Sequence, residues 1–155
     1  MIDQFDYKIT GVGWAEMTFV SHTGDKVVIT ISYCCEPLPG LLDALCRLQR
    51  DESRFEVIEM GGDNYDFTLV LCEVAAGILR IEVLEDAYFD VLDPDEDRVP
   101  IPLFTAYDRT CSICECVLGN LEDLVRNMGL EEYKEKWCTA FPVEKLTALK
   151  DAMRR

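Results

Sequence analysis

A chain of 155 residues with 30 acidic and 15 basic side chains carries a formal net charge of −15. That charge argues against nucleic acid and against anionic membranes as partners, because their phosphates would be repelled. The apolar fraction of 49% excludes general disorder, and the length suits a single domain, residues 1–155, with a buried core.

The opening residues, MIDQFDYK, place acids where a signal peptide needs a basic region, and no apolar run follows. Eight cysteines without such a signal read as reduced thiols in a cytoplasmic protein. Within residues 7–21, Trp14, Glu16, Thr18 and Val20 alternate with Ala15, Met17 and Phe19, which predicts a strand. His22 to Asp25 supplies turn chemistry and Lys26–Tyr33 resumes the β-branched alternation, so the two segments form a hairpin. Gly11-Val-Gly13 precedes a strand instead of a helix, which excludes a dinucleotide-phosphate role. Cys34 and Cys35 are adjacent and would face opposite sides of a strand. Glu36-Pro-Leu-Pro-Gly40 then breaks the strand. A helix over 38–50 follows, with Leu38, Leu41, Leu42, Leu45 and Leu48 as its apolar stripe and Asp43, Arg47 and Arg50 outward.

Asp51 to Asp97 holds 15 of the 30 acids against only Arg54 and Arg80. Three strands are predicted in it: Arg54–Met60, Tyr65–Val74 and Ile78–Leu84, separated by Gly61-Gly-Asp-Asn64 and Ala75-Ala-Gly77. Tyr65, Phe67, Leu69 and Leu71 share one face, as do Leu79, Ile81 and Val83 opposite Arg80 and Glu82. Loops this short favour an antiparallel meander with one face under helices and the other wetter and acidic. The apolar stretch Tyr65–Leu84 is interrupted by Asp66, Glu73, Arg80 and Glu82 and is no membrane span.

Residues 93–109 read as a long loop, with a short extended piece at Leu103–Tyr107. Asp108 or Thr110 then caps a helix running to about Asn127, with Ile113, Val117, Leu121, Leu124 and Met128 inward and Gly129 as its C-cap. Shorter helices follow over Glu131–Cys138 and from Pro142, the last striped by Val143, Leu146, Leu149 and Met153. The expected fold is therefore α+β. Residues 1–92 form an antiparallel sheet of about five strands, in ββαβββ order with its helix after the second strand, 93–109 a loop, and 110–155 a cap of two to three helices.

The sharpest chemical motif is Cys111-Ser-Ile-Cys114-Glu-Cys116, because a thiol at a helix start can be stabilised as thiolate. With Pro102–Tyr107 before it, the segment resembles a thioredoxin active-site segment over about 15 residues. Thioredoxins continue with strands, whereas helix follows here. A metal site built from Cys111, Cys114, Cys116 and Cys138 is the related alternative. The bland reading is a set of half-buried, apolar-like thiols. Asp93-Pro-Asp95-Glu-Asp97 departs from a calcium loop at Arg98, where glycine belongs, and at Phe104, where a glutamate belongs. His22, the one histidine, reads as a solvated turn residue. No catalytic residue and no cofactor is assigned.

Two resemblances bear on function. Leu121–Trp137 is similar to the first helices of a SAM interaction domain, a match a packing hairpin also explains. Gly13-Trp-Ala-Glu16, the strand before Tyr33, the helix containing Leu41-Leu-Asp-Ala-Leu45, and Gly61-Gly-Asp-Asn-Tyr65 resemble small uncharacterised bacterial proteins. Some of those are similar to immunity proteins of polymorphic toxin systems. That resemblance implies a non-catalytic binding module for a basic protein. The charge contacts would be Glu56, Glu59, Asp63, Asp66, Glu82, Glu85, Asp86, Asp90, Asp93, Asp95, Glu96 and Asp97, with Tyr88 and Phe89 as anchors. Mere solubility also explains the acids, and a homo-oligomeric subunit is a third reading.

Overall fold

In the computed structural model, which describes residues 1–61, 65–87 and 101–155, three antiparallel strands precede the first helix. They are β1 (Ile2–Gly11), β2 (Trp14–Ser21) and β3 (Lys26–Ser32). Phe5, Tyr7 and Ile9 of β1 lie across from Phe19, Met17 and Ala15 of β2, and those in turn from Val27, Ile29 and Ile31 of β3. The apolar face of the whole sheet is thereby fixed by one register. The β1–β2 turn needs Gly13 in left-handed conformation, φ +74°. A side chain there would also run into the Tyr33 ring.

β1 is absent from the sequence-based expectation, and the reason is local. A register shift between Ile2 and Gln4 lets both Ile2 and Phe5 point inward, which breaks the period-2 pattern that announces a strand. The expected helix forms as α1 (Pro37–Gln49), with Leu38, Leu41, Leu42, Leu45 and Leu48 buried as its stripe requires. It follows the third strand, not the second.

The acidic half supplies a second sheet: β4 (Phe55–Gly61), β5 (Tyr65–Ala75), β6 (Ile78–Ala87) and β7 (Ile101–Arg109), antiparallel in the order β4-β5-β6-β7. The meander is as expected, but two corrections follow. The single sheet of about five strands is in fact two sheets, of three and four strands. Residues 101–109, assigned to a loop, form a full strand despite Pro102, which sits on the sheet's edge strand where a missing N–H costs no ladder bond. β3 and β4 do not pair with one another. They meet where the Gly61 N–H donates to Cys35 Sγ at 3.1 Å, after α1 has separated them in sequence.

Three helices close the chain, α2 (Thr110–Met128), α3 (Leu130–Trp137) and α4 (Val143–Met153). Gly129, at φ +81°, ends α2 as expected, its N–H donating to the Val125 carbonyl. The N-terminus of α2 is different: Arg109 is the cap residue and no side chain caps it. Asp108 is instead buried between strands, accepting the Ile2 N–H on Oδ2 at 2.8 Å and the Arg109 N–H on Oδ1 at 2.7 Å. α2 lies along β1, whose edge it satisfies: Asn120 accepts the Tyr7 N–H and donates to Asp6, each at 2.9 Å. In α3, Tyr133 and Trp137 are buried, and Tyr133 meets Phe141 edge-on with ring centroids 5.1 Å apart.

One apolar cluster unites the inner faces of both sheets with all four helices. Phe19 stands at the junction, edge-on to Phe5 at 5.3 Å and 6.1 Å from Phe104 of the other sheet. Among the described residues the fold is α+β, with seven strands, four helices and no helix long and apolar enough to cross a membrane.

Candidate binding surface

The second sheet buries one face; on the other, the edge strands β4 and β7 expose their side chains, while Val70 and the Arg80 Nε on the central strands are buried. Its pairing register orders the open face into rows. The first row is Phe55, Cys72, Arg80 and Tyr107. The second is Val57, Val70, Glu82 and Thr105, and the third runs from Glu59 through Thr68 and Leu84 to Pro102. Asp66 lies one step further, opposite Gly61.

This face is not the simply wet, acidic one expected. Phe55 is 58% exposed, Tyr107 51%, Val57 46% and Leu103 41%, and these are unusual side chains to leave on an uncovered sheet. The carboxylates concentrate at the opposite end. Glu59 and Asp66 are exposed there, and both the β4–β5 and β6–β7 connections leave the sheet at that same end. Glu82 lies between, half-buried, with Oε2 3.0 Å from Arg80 Nε. That contact is an ion pair without hydrogen-bond geometry.

The expected charge contacts therefore divide. Glu59, Asp66 and Glu82 share the open face. Glu85 is half-buried and has the parity of the inner face, opposite Phe67. Glu56 also points inward and takes a bidentate pair from Arg47 of α1, at 2.8 and 2.7 Å. That guanidinium holds the Glu56 carboxyl below the ordinary carboxylate range, against the opposing effect of partial burial. Asp63, Tyr88, Phe89, Asp90, Asp93, Asp95, Glu96 and Asp97 lie outside the described residues, as does the side chain of Asp86. Phe55, Val57, Leu103 and Tyr107 were missed as candidate anchors. Their parity opposite Ile58, Met60, Phe104 and Ala106 was a usable signal, but only once the buried face of β4 and β7 was known.

All eight cysteines are free thiols. The Cys111-Cys114-Cys116 segment opens α2, but its members separate in environment. Cys114 is wholly buried and its thiol is pushed up to about 12, first by burial and then by its neighbours Cys111 and Cys46. Cys116 is half-buried and raised by burial and then by Asp108. Cys138 is exposed at the left-handed end of α3. Among the described residues no three His, Cys, Asp or Glu side chains are arranged to hold a metal ion. A thiolate is the reactive form, so native protein should take maleimide at Cys34 and Cys138, and at Cys114 only on unfolding. Labelling of Cys114 as fast as Cys138, read by peptide mass spectrometry, would restore a dithiol site.

A shallow groove of about 350 Å³ lies between β1, α2 and α3, lined by Lys8, Asn120, Asp123, Asn127 and Glu132 among others. Most of its polar groups are engaged nearby: Asn120 with Asp6 and the Tyr7 N–H, Lys8 with Glu16, Asp123 with Arg126, Glu132 with Lys136. His22 sits exposed in the β2–β3 turn, 3.4 Å from Asp3. Neither place joins a nucleophile to a base. Family models, curated proteins and solved structures were each compared with the chain, and none matches it.

Proposed function

We propose that this chain is a non-catalytic protein-binding module whose open sheet face takes a basic protein, in the manner of an immunity protein neutralising a basic toxin domain in the cytoplasm. The observation that carries this reading is the grading of one sheet face from Phe55, Val57 and Tyr107 to Glu59 and Asp66. Carboxylates at one end accelerate encounter with a cationic partner and set its orientation. Exposed aromatic and aliphatic side chains at the other end provide the desolvated contacts that hold it. A net charge of −15 opposes the pairing of two copies through the same face.

The test is recovery of a basic protein from the native cell on the immobilised chain, followed by association kinetics. Between roughly 50 and 500 mM salt the association rate should fall by about tenfold or more. A rate that ignores ionic strength contradicts the charge part of the proposal.

A further inference from the structure

The edges of the two sheets are treated differently, and of the two without a hydrogen-bonded neighbour or a blocking device, β3 and β4, only β4 lies beside the apolar rows. The β1 edge runs along α2, whose Asn120 accepts the Tyr7 N–H and donates to Asp6. The β7 edge carries Pro102 and a register shift opposite Val83 and Leu84, both devices that discourage pairing with another chain. β4 pairs with β5 without any such shift over its full length.

The direction of its free groups follows from the ladder. The Arg54 carbonyl accepts the Glu73 N–H at 2.8 Å, so Arg54 and Glu73 are a hydrogen-bonded pair. In an antiparallel ladder every second residue then turns inward to its neighbour. Glu56, Ile58 and Met60 serve β5, while Phe55, Val57, Glu59 and Gly61 turn to the edge. The two outer positions are already occupied: the Phe55 N–H donates to Ser53 Oγ at 3.3 Å, and the Gly61 N–H to Cys35 Sγ at 3.1 Å. Among the described residues, the main-chain groups of Val57 and Glu59 have no partner.

We infer that β4 is a docking edge, and that the occupant is an extended basic segment of the partner protein, added as a fifth strand of this sheet. The inference rests on the proposed role of the sheet face, and it specifies how the partner engages it. An added strand would hydrogen-bond with Val57 and Glu59, and alternate side chains would lie beside Phe55, Val57 and Glu59 on the open face. Charge selects its composition. Glu59 on β4 and Asp66 beside it on β5 flank that path, whereas β3, the other edge strand, presents Lys26, Val28 and Thr30, and the carboxylate next to it, Glu16 of β2, is already paired with Lys8 at 3.6 Å. A second copy of this chain would bring its own net charge of −15 to the same edge.

The test uses the full chain and three synthetic peptides matched to the 7 residues of β4. One alternates lysine and valine, one alternates glutamate and valine, and one is the lysine–valine peptide with alternate amides N-methylated. Amide hydrogen exchange at Val57 and Glu59 should slow at least about tenfold with the first and with neither of the others, since a ladder bond must open before exchange. Val57→Pro removes an edge N–H that the β5 ladder does not use. It should keep the parent's unfolding midpoint and abolish the protection at Glu59, the amide of the pair that this variant retains. Shifts of the Phe55 and Tyr107 side-chain resonances without protection at Val57 and Glu59 would overturn the edge inference and leave the face reading standing. No response to the lysine–valine peptide at either place would overturn both. Equal protection by the glutamate–valine peptide would overturn the charge selection. A dimer of the chain alone that already protects Val57 and Glu59 would overturn the choice of occupant.

Discussion

Phe19→Ala is expected to lower the unfolding free energy by about 3–5 kcal/mol, the range for removing a buried aromatic side chain. Phe19 is 2% exposed and lies between Phe5 of its own sheet and Phe104 of the other. The truncation leaves a cavity bounded by elements that cannot easily close on it, because both sheets are pinned elsewhere by their ladders. The loss of edge-on ring contacts adds to the transfer cost. Phe19→Leu, which conserves more of the volume, should cost far less, about 1.5 kcal/mol. Urea unfolding followed by tryptophan fluorescence measures both. A cost for Phe19→Ala below about 1 kcal/mol would mean that the two sheets do not share a core at this point.

Asp108→Ala should cost about 2–4 kcal/mol, chiefly from the buried Ile2 hydrogen bond to a charged acceptor, worth about 1.5–3 kcal/mol, with a smaller part from the partly exposed Arg109 bond. The carboxylate holds the Ile2 N–H across the fold and the Arg109 N–H beside it. Its removal leaves the Ile2 amide without that acceptor in a buried setting, and the Arg109 amide in a partly exposed one. Asp108→Asn retains one accepting oxygen and should recover about half of the loss. Hydrogen exchange locates the effect: the Ile2 amide should lose its protection in Asp108→Ala while amides in α1 keep theirs. If the Ile2 amide remained protected, another acceptor would have to hold the start of β1.

These two sites also mark the limit of what the sequence disclosed. Elements whose pattern is purely local were legible. The leucine stripe of α1, the meander of β4 to β6 and the Gly129 stop after α2 all follow from period, turn chemistry and capping. Features that depend on distant partners were not. Asp108 has the composition of a helix cap, and only the approach of Ile2, 106 residues away, gives its carboxylate another use. β1 was hidden because a bulge near Gln4 shifts the inward parity, and β7 because three prolines in the run from Asp93 to Asp108 suggest a loop. The candidate surface was legible in charge but not in anchors. Acids stand out in composition wherever they point. Phe55 and Tyr107 look like core residues until the register places them on the open face.

Glu56 illustrates the same point from the charged side. By composition it belonged with the recognition acids, but its pair with Arg47 gives it a structural use between α1 and β4. Among the described residues, charge density alone therefore counts Glu56 and Glu85, which do not share the open face. Among the described residues, Glu59, Asp66 and Glu82 are on the face and are ordered along it.

The central claim is that this face, and not diffuse acidity, holds the partner. The most direct measurement is the affinity of the recovered basic protein for the parent chain and for the Phe55→Ala, Tyr107→Ala double variant, at one fixed salt concentration. Both side chains are more than half exposed, so the unfolding midpoint should be unchanged. The dissociation constant should rise by about a hundredfold, as expected when two interface anchors are removed. Equal affinities for the two proteins, both folded, would contradict the assignment of the binding surface.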